Sequence, residues 1–259
     1  MTQAVPAPLL EALRSARRIV AFTGAGMSAE SGIPTFRDRG TGLWARFDPQ
    51  ALATTEAFLR DPEMVWAWYE WRRRKVACAQ PNAGHEALAQ MAAAPQVERL
   101  SVVTQNVDDL HERAGSASVV HLHGSIFSPR CFDCAAAFSL PPDGDFDPGQ
   151  APLERLAPPR CPHCGSLIRP GVVWFGEMLP EQAWTQALRL AAEADLMLVI
   201  GTSGLVQPAA SLPAATRAEG GRVAVINPDP DARGHARDIY WPVTAATGLP
   251  ALLKAPAAD

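Results

Sequence analysis

This 259-residue chain has no excess of basic charge: 23 Lys and Arg stand against 27 Asp and Glu, for a net charge of -4 and a pI of about 5.9. That balance excludes the broad positive footprint of a nucleic-acid binder. The chain also has no apolar run long enough to cross a bilayer. Neither nucleic acid nor membrane is therefore expected as a partner. The opening "MTQAVPAPLLEALRSARR" lacks a sustained apolar stretch followed by a small-residue cleavage site, so a cytoplasmic location is expected. Internal repeats and low-complexity tails are absent. Cysteine is scarce, with five in all. Four form the pairs "CFDC" (Cys131, Cys134) and "CPHCG" (Cys161, Cys164), and Cys78 stands alone. In a reducing compartment, paired C-x-x-C units argue for metal rather than disulfides.

What is present is an ordinary globular balance, 47% hydrophobic and 19% charged, in a chain long enough for a sizeable core. "RRIVAFTGAG", with a strand from Arg18 to Thr23, "RLSVVTQNVD", "SVVHLHGS", "ADLMLVIGTS" and "GRVAVINPDP" each carry a short apolar run that ends in a polar or glycine turn. Strands buried on both faces of a parallel sheet read this way. Helical stretches alternate with them: "LLEALRSAR", "NAGHEALAQMAAA" and "EQAWTQALRLAAEA". The pattern predicts an α/β fold with a doubly wound parallel sheet, and ligands in such folds sit at the carboxyl ends of the strands. Two stretches interrupt the alternation: a Trp-rich helical segment, about 40–80, and a Cys- and Pro-rich segment, about 130–169. Both read as insertions.

The strand ends carry the chemistry. "TGAGMSAESGIPTFRD" places Gly24, Gly26 and Ala29 as G-x-G-x-x-A after a strand. Such glycines let backbone amides and a helix N-terminus approach a pyrophosphate, although a purely structural turn uses the same residues. No clean strand-end acid follows about twenty residues on, where a dehydrogenase would hold the ribose. Ser28, Ser31, Thr35, Phe36, Arg37 and Asp38 come instead. The four cysteines make a closed tetrahedral donor set, which fits a structural zinc ion. In "HLHGS", alternation puts His121 and His123 on one side of an extended strand, with glycine opening the space above His123. An accessible imidazole of near-neutral pKa can serve as a general base. Gln105, Asn106 and Asp108 of "TQNVDD" can hold a ribose, an amide or a water, or can cap a helix. Gly201, Thr202 and Ser203, and Asn227 and Asp229, carry the same two readings.

The words "GAGMSAESGIPTFRD", "TQNVDDLHERAG", "HLHGS", the two C-x-x-C pairs, "PGVVWFGE", "GTSGLVQPA" and "INPD" stand in sirtuin order. From about Ile19 to Leu253 the chain resembles this family of NAD-dependent protein-lysine deacylases. The resemblance implies a Rossmann-like NAD-binding large domain from 1–39, 81–129 and 170–259. It also implies a small domain made of a helical module (40–80) and a zinc ribbon (130–169). NAD and acyl-lysine would enter a cleft from opposite sides. The acyl oxygen attacks the nicotinamide ribose while a histidine base activates a ribose hydroxyl. The products are nicotinamide, free lysine and O-acyl-ADP-ribose.

By the same resemblance, His123 is the base, and Gln105, Asn106 and Asp108 surround the nicotinamide and its ribose. Ala25, Arg37 and the loop glycines match the phosphate and cofactor loop, and Phe36 and Ala29 are also expected to bind the cofactor. Ser203 and Asn227 match adenosine-side contacts and Ala245 the residue near the adenine, with Gly201, Thr202 and Asp229 also expected to bind the cofactor. "VVWFGE" resembles the strand that pairs with substrate backbone, through Val172, Phe175, Gly176 and Glu177, with Gly204 and Leu205 on its other edge. Tyr69 and Arg72 of "YEWRRRKV" share a helix face and resemble the Y-x-x-R signature of sirtuins that remove succinyl and malonyl groups. Ala53 matches a small residue that leaves room for the longer chain. Arg73, Arg74 and Lys75 are expected to face solvent or acidic substrates, and Cys78 to be a buried small residue. Other readings are mainly deacetylation, ADP-ribose transfer to protein, and a non-catalytic NAD-sensing or zinc-ribbon module. The expected partners are acyl-lysine proteins or peptides, with a monomer favoured over an oligomer for the chain itself.

Overall fold

The structure is a computed structural model, described here for residues 4–33, 52–140 and 155–254. Its helices are α1 (Ala7–Ser15), α2 (Thr55–Arg60), α3 (Pro62–Cys78), α4 (Ala83–Ala92), α5 (Leu110–Arg113), α6 (Glu181–Glu193), α7 (Leu212–Ala218) and α8 (Ala245–Leu253). Its strands are β1 (Arg18–Thr23), β2 (Arg99–Thr104), β3 (Val119–His121), β4 (Arg130–Cys131), β5 (Ile168–Arg169), β6 (Leu196–Ile200), β7 (Arg222–Ile226) and β8 (Ile239–Trp241). The chain divides into two compact units. One comprises Met1–Gly32, Gln80–Leu122 and Pro180–Asp259, the other Ile33–Ala79 and His123–Leu179.

The first unit is built on a six-stranded sheet in the order β3-β2-β1-β6-β7-β8, parallel throughout. Its strands are apolar because both faces are covered. Leu196, Leu198 and Ile200 of β6 join one cluster with Leu9, Leu88 and Leu249 of α1, α4 and α8. Met197, facing the other way, lies 3.9 Å from the Thr216 hydroxyl of α7, which donates to the Ala191 carbonyl at 2.7 Å. Burying each such side chain contributes about 1.5–3 kcal/mol before chain entropy is counted. The strand order reverses between β1 and β6, which is the topological switch point of a doubly wound sheet. The short strand β8 was not anticipated from sequence, because "IYW" offers three residues and no apolar run.

In the second unit, α3 begins where Asp61 accepts the Met64 N–H, with Pro62 in the first turn. Trp66 of α3 packs with Cys131, Cys161 and Ile168, so the helix and the antiparallel β4–β5 pair share one apolar cluster. Arg155 ties the same end of α3 down through Asp61 at 2.8 Å and Glu63 at 3.0 Å. Two expectations fail here. Arg73 does not face solvent: it is buried and paired with Glu70 at 2.9 Å, while Arg74 and Lys75 are half-buried. The 3.6-residue period turns position 73 inward beside Trp66 and Tyr69, three or four residues apart on nearby faces, and the charge is then carried by Glu70. Cys78 is exposed rather than buried, because it ends the helix.

Candidate functional site

At the switch point the loop after β1 lies against the loop after β6. The Gly24 N–H donates to the Ile200 carbonyl at 3.0 Å, and the Gly26 N–H to the Gly201 carbonyl at 2.8 Å. A Cβ on Gly26 would stand 2.7 Å from the Gly201 Cα, and one on Gly24 would stand 2.8 Å from the Thr202 Cβ. Close backbone approach therefore accounts for both glycines. The chain then forms two three-residue 3-10 turns, Ala25–Met27 and Ala29–Ser31, with Ala29 opening the second. The expected α-helix N-terminus is not seen here: among the described residues the loop presents tight turns, not a long helix dipole. Phe36 and Arg37 lie outside the described residues.

Beneath this loop is a buried polar relay. Asn106 Nδ2 donates to the Gly24 carbonyl and to Ser28 Oγ, both at 3.1 Å, and Ser28 Oγ donates to Asp108 Oδ2 at 2.9 Å. Burial pushes the Asp108 carboxyl upward, against the hydrogen bonds from Ser28 and the Leu110 N–H. Gln105 Nε2 donates to Thr202 Oγ1 at 2.8 Å, and Asn227 Nδ2 to the Thr202 carbonyl at 2.9 Å, which draws three strand ends together. Asp229 caps the 3-10 turn Pro230–Ala232 by accepting from the Asp231 N–H. Ser203, Gly204 and Leu205 form an adjoining turn, with Gly204 and Leu205 exposed and Gly204 at φ 68°. Ala245 is buried at the start of α8. Sequence reasoning missed Asn82, whose Nδ2 holds the loop through the Met27 carbonyl at 2.9 Å and Ser31 Oγ at 3.0 Å. Its signal was the cap position before "AGHEAL".

The two histidines of "HLHGS" do not share a strand face, because β3 ends at His121. His121 Nε2 lies 2.7 Å from Glu112 Oε1, and Nδ1 lies 3.2 Å from the Asn106 carbonyl. Both partners only accept, and only the imidazolium form of the ring can donate to both. Burial works against that charge, but Glu112 and the Asn106 carbonyl outweigh it and raise the His121 pKa. His123 opens the second segment of the other unit. It is half-buried, with its carbonyl accepting from the Val173 N–H at 2.9 Å. Gly124 has a different reason from the one expected. At φ 73° its missing Cβ would overlap the Gly171 carbonyl, so glycine permits that backbone contact.

The thiols of Cys131, Cys134, Cys161 and Cys164 lie within 4.8 Å of one another. Separations of 3.4 Å (Cys131–Cys164), 3.6 Å (Cys134–Cys164) and 3.7 Å (Cys134–Cys161) approach the spacing of about 3.8 Å that four Zn–S bonds of about 2.3 Å impose. The donor set and its geometry fit zinc, with no coordination position left for a reactant.

Along α3, Tyr69 is buried and Trp68 meets it edge-on at 4.6 Å. The Arg72 guanidinium lies 4.9 Å over the Trp68 ring and lines a groove with Ile33, Trp71, Lys75 and Val76. Tyr69 sits outside that groove and accepts a hydrogen bond from Trp174 Nε1 at 3.1 Å. Val172–Glu177 is not a regular strand. It is held by two isolated bridges, Gly124–Val172 and Thr54–Phe175. The Phe175 N–H donates to the buried Ala53 at 2.9 Å. Gly176 takes φ 87° so that the Glu177 carboxylate can turn back to accept the Trp174 N–H at 2.8 Å. Burial would raise the Glu177 carboxyl, but buried Arg169 and that N–H outweigh it and hold it below its usual range. Arg169 gave no sequence signal as a site residue, whereas Trp174 lies within the substrate-pairing word "VVWFGE" without being singled out there.

A family model described as the Sir2 family matches residues 24–208. A relative from Pseudomonas aeruginosa, named NAD-dependent protein deacylase 1, is 53% identical over 248 residues, covering 95% of this chain and 97% of its own. One from Corynebacterium glutamicum, named NAD-dependent protein deacylase, is 51% identical over 245 residues, covering 95% and 93%. Among solved structures, a complex of a Sir2 homologue with NAD superposes with a TM-score of 0.84 at 44% identity, over 97% of this chain and 94% of that one. A Sir2–p53 peptide–NAD+ structure gives 0.78 at 29% identity, over 96% and 97%. Half of all positions are shared along nearly the whole length, and with them the same fold, so this chain belongs to the Sir2 family, the sirtuins.

Proposed function

We propose that this chain is an NAD-dependent protein-lysine deacylase that prefers acidic acyl groups, succinyl and malonyl, over acetyl. NAD is consumed as co-substrate, and acyl-lysine proteins or peptides are the partners of a monomeric, cytoplasmic enzyme. The deacylase activity rests on near-full-length identity of about half to relatives of that name. The acidic preference rests on one observation: Tyr69 and Arg72 stand three residues apart on one helix, each against Trp68. A guanidinium can grip a carboxylate with two parallel hydrogen bonds, and a phenol can add a third.

In this reading the parallel-sheet unit holds the dinucleotide. Gly24, Ala25, Gly26 and Ala29 present the loop to the phosphates, together with Phe36 and Arg37. Gly201, Thr202, Ser203, Asn227, Asp229 and Ala245 take the adenosine side. The relay from Asn106 through Ser28 to Asp108, with Gln105 beside it, fixes polar groups where nicotinamide and its ribose sit. Such preorganised dipoles stabilise developing charge without reorganising. His123 accepts the ribose hydroxyl proton. Val172, Phe175, Gly176 and Glu177, with Gly204 and Leu205, meet the peptide, and Ala53 leaves room for a longer acyl chain. Zinc on the four thiols holds β4 and β5 and takes no part in the reaction.

A second reading, mainly deacetylation with tolerance of acidic chains, draws support from the burial of Tyr69 outside the groove that Arg72 lines. Nicotinamide release with matched succinyl-lysine and acetyl-lysine peptides separates the two. The acidic reading expects succinyl to lead in kcat/KM by more than about tenfold, and Arg72→Met to erase most of that lead. An acetyl lead would establish the second reading.

A further inference from the structure

We propose that Trp174 is a positioning residue for acyl selectivity: its indole N–H fixes the direction of the Tyr69 hydroxyl, so that the phenol presents its hydrogen to an acidic acyl group. This deepens the acidic-acyl reading and rests on it. An indole nitrogen can only donate, so in the 3.1 Å contact the Tyr69 oxygen must accept. The phenol has one hydrogen, which therefore points away from Trp174. Among the described residues Trp174 is the only hydrogen-bond partner of that hydroxyl. Burial also raises the phenol's pKa, so the proton stays in place at any working pH.

Trp174 is held firmly enough to impose this direction. Its backbone N–H is bound by Glu177 Oε2 at 2.8 Å. Its ring lies 3.5 Å beneath the Arg169 guanidinium, which is itself anchored by Glu177 and by the Val172 carbonyl at 3.0 Å. Phe58 packs on it at 5.3 Å. On the other side of the phenol, Trp68 closes edge-on and carries Arg72 above its face. The Arg72 charge acts on the buried phenol although Tyr69 lies outside the groove that Arg72 lines, so in this proposal an acyl carboxylate gripped by Arg72 gains a second donor whose rotation is already restricted, which lowers the entropy cost of binding.

Trp174→Phe leaves an aromatic ring in place and removes the N–H together with the smaller half of the buried indole, so its effect on selectivity is read as the difference between the two peptides and not from either alone. With the succinyl peptide, KM should rise about five- to tenfold more than with the acetyl peptide, while kcat changes by less than about twofold. On a Tyr69→Phe background the same substitution should add no further selective loss. Equal KM rises with both peptides, or an undiminished loss on the Tyr69→Phe background, would overturn the proposal. A wild-type enzyme that prefers acetyl would overturn the acidic reading and this one with it. A succinyl preference left intact by Trp174→Phe would overturn this one alone. If Trp174→Phe does not fold, the indole 1H–15N resonance of Trp174 in Tyr69→Phe decides: it should move upfield, and an unmoved signal refutes the hydrogen bond.

Discussion

His121 and His123 are two residues apart and have opposite environments. His121 is clamped between Glu112 and the Asn106 carbonyl, which raise its pKa against the effect of burial, and a ring held on both nitrogens suits a support and not a base. His123, half-buried at the start of its segment, is the residue of this pair to which the proposed function gives the proton. His123→Ala is expected to lower turnover by at least about a hundredfold while calorimetry still detects NAD binding. Turnover near the wild-type level would remove His123 from the mechanism. The difference between the two rings was not legible in "HLHGS", because it depends on where β3 stops and on a glutamate brought in by α5. Arg73 and Arg72 show the same limit: adjacent cations read alike in sequence, yet one is buried with Glu70 and the other lies over Trp68.

Two kinds of element carry the candidate site: regular strands whose ends deliver polar residues, and short irregular pieces pinned by side chains. The strands were legible. Arg18–Thr23 was read to its ends, and the apolar runs of β2, β6 and β7 stood where expected, because a strand buried on both faces needs continuous apolar residues. The pinned pieces were not. The 3-10 turns after Gly24 owe their shape to Asn82, distant in sequence from what it holds, and the turn through Val172–Glu177 owes its shape to the local Arg169–Glu177 pair, which leaves no periodic pattern in the sequence. The β4–β5 pair has only two residues per strand, so its four thiols need an ion to hold it. Purified protein should carry about one zinc per chain, and Cys131→Ala should lose it and melt at a lower temperature. Elemental analysis beside a thermal melt tests this. Metal-free wild-type protein with an unchanged melting temperature would contradict it.

The first unit's stability carries a pH signature. His85 and His111 meet edge to face at 4.8 Å inside it, and burial lowers their pKa values to about 4 and about 3. His85 Nδ1 accepts from the Asn82 N–H, and His111 Nε2 meets Thr23 Oγ1 at 3.1 Å. Above the unfolded-state pKa of about 6.5 both states are neutral and stability is full. As pH falls below that, the unfolded chain takes up protons that the folded one refuses, and stability is lost until the folded values are reached. Denaturant melts should therefore lose about 1–3 kcal/mol per pH unit between pH 6 and 5. His111→Asn should flatten that slope, and an equally steep slope in the variant would place the titration elsewhere.

Sequence by itself determined the parallel α/β class, the thiol set and which strand ends carry polar words. Those features follow from period, apolar content and ligand type, which are local properties of the chain. Only the tertiary structure decided that the loop glycines serve close approach to Gly201 and Thr202, that Arg73 is buried with Glu70, and that the Tyr69 hydroxyl meets an indole 105 residues away in the chain. The physical reason is that a hydrogen bond or a buried charge is settled by which partners the packed core brings within about 3 Å, and chain position does not encode that distance.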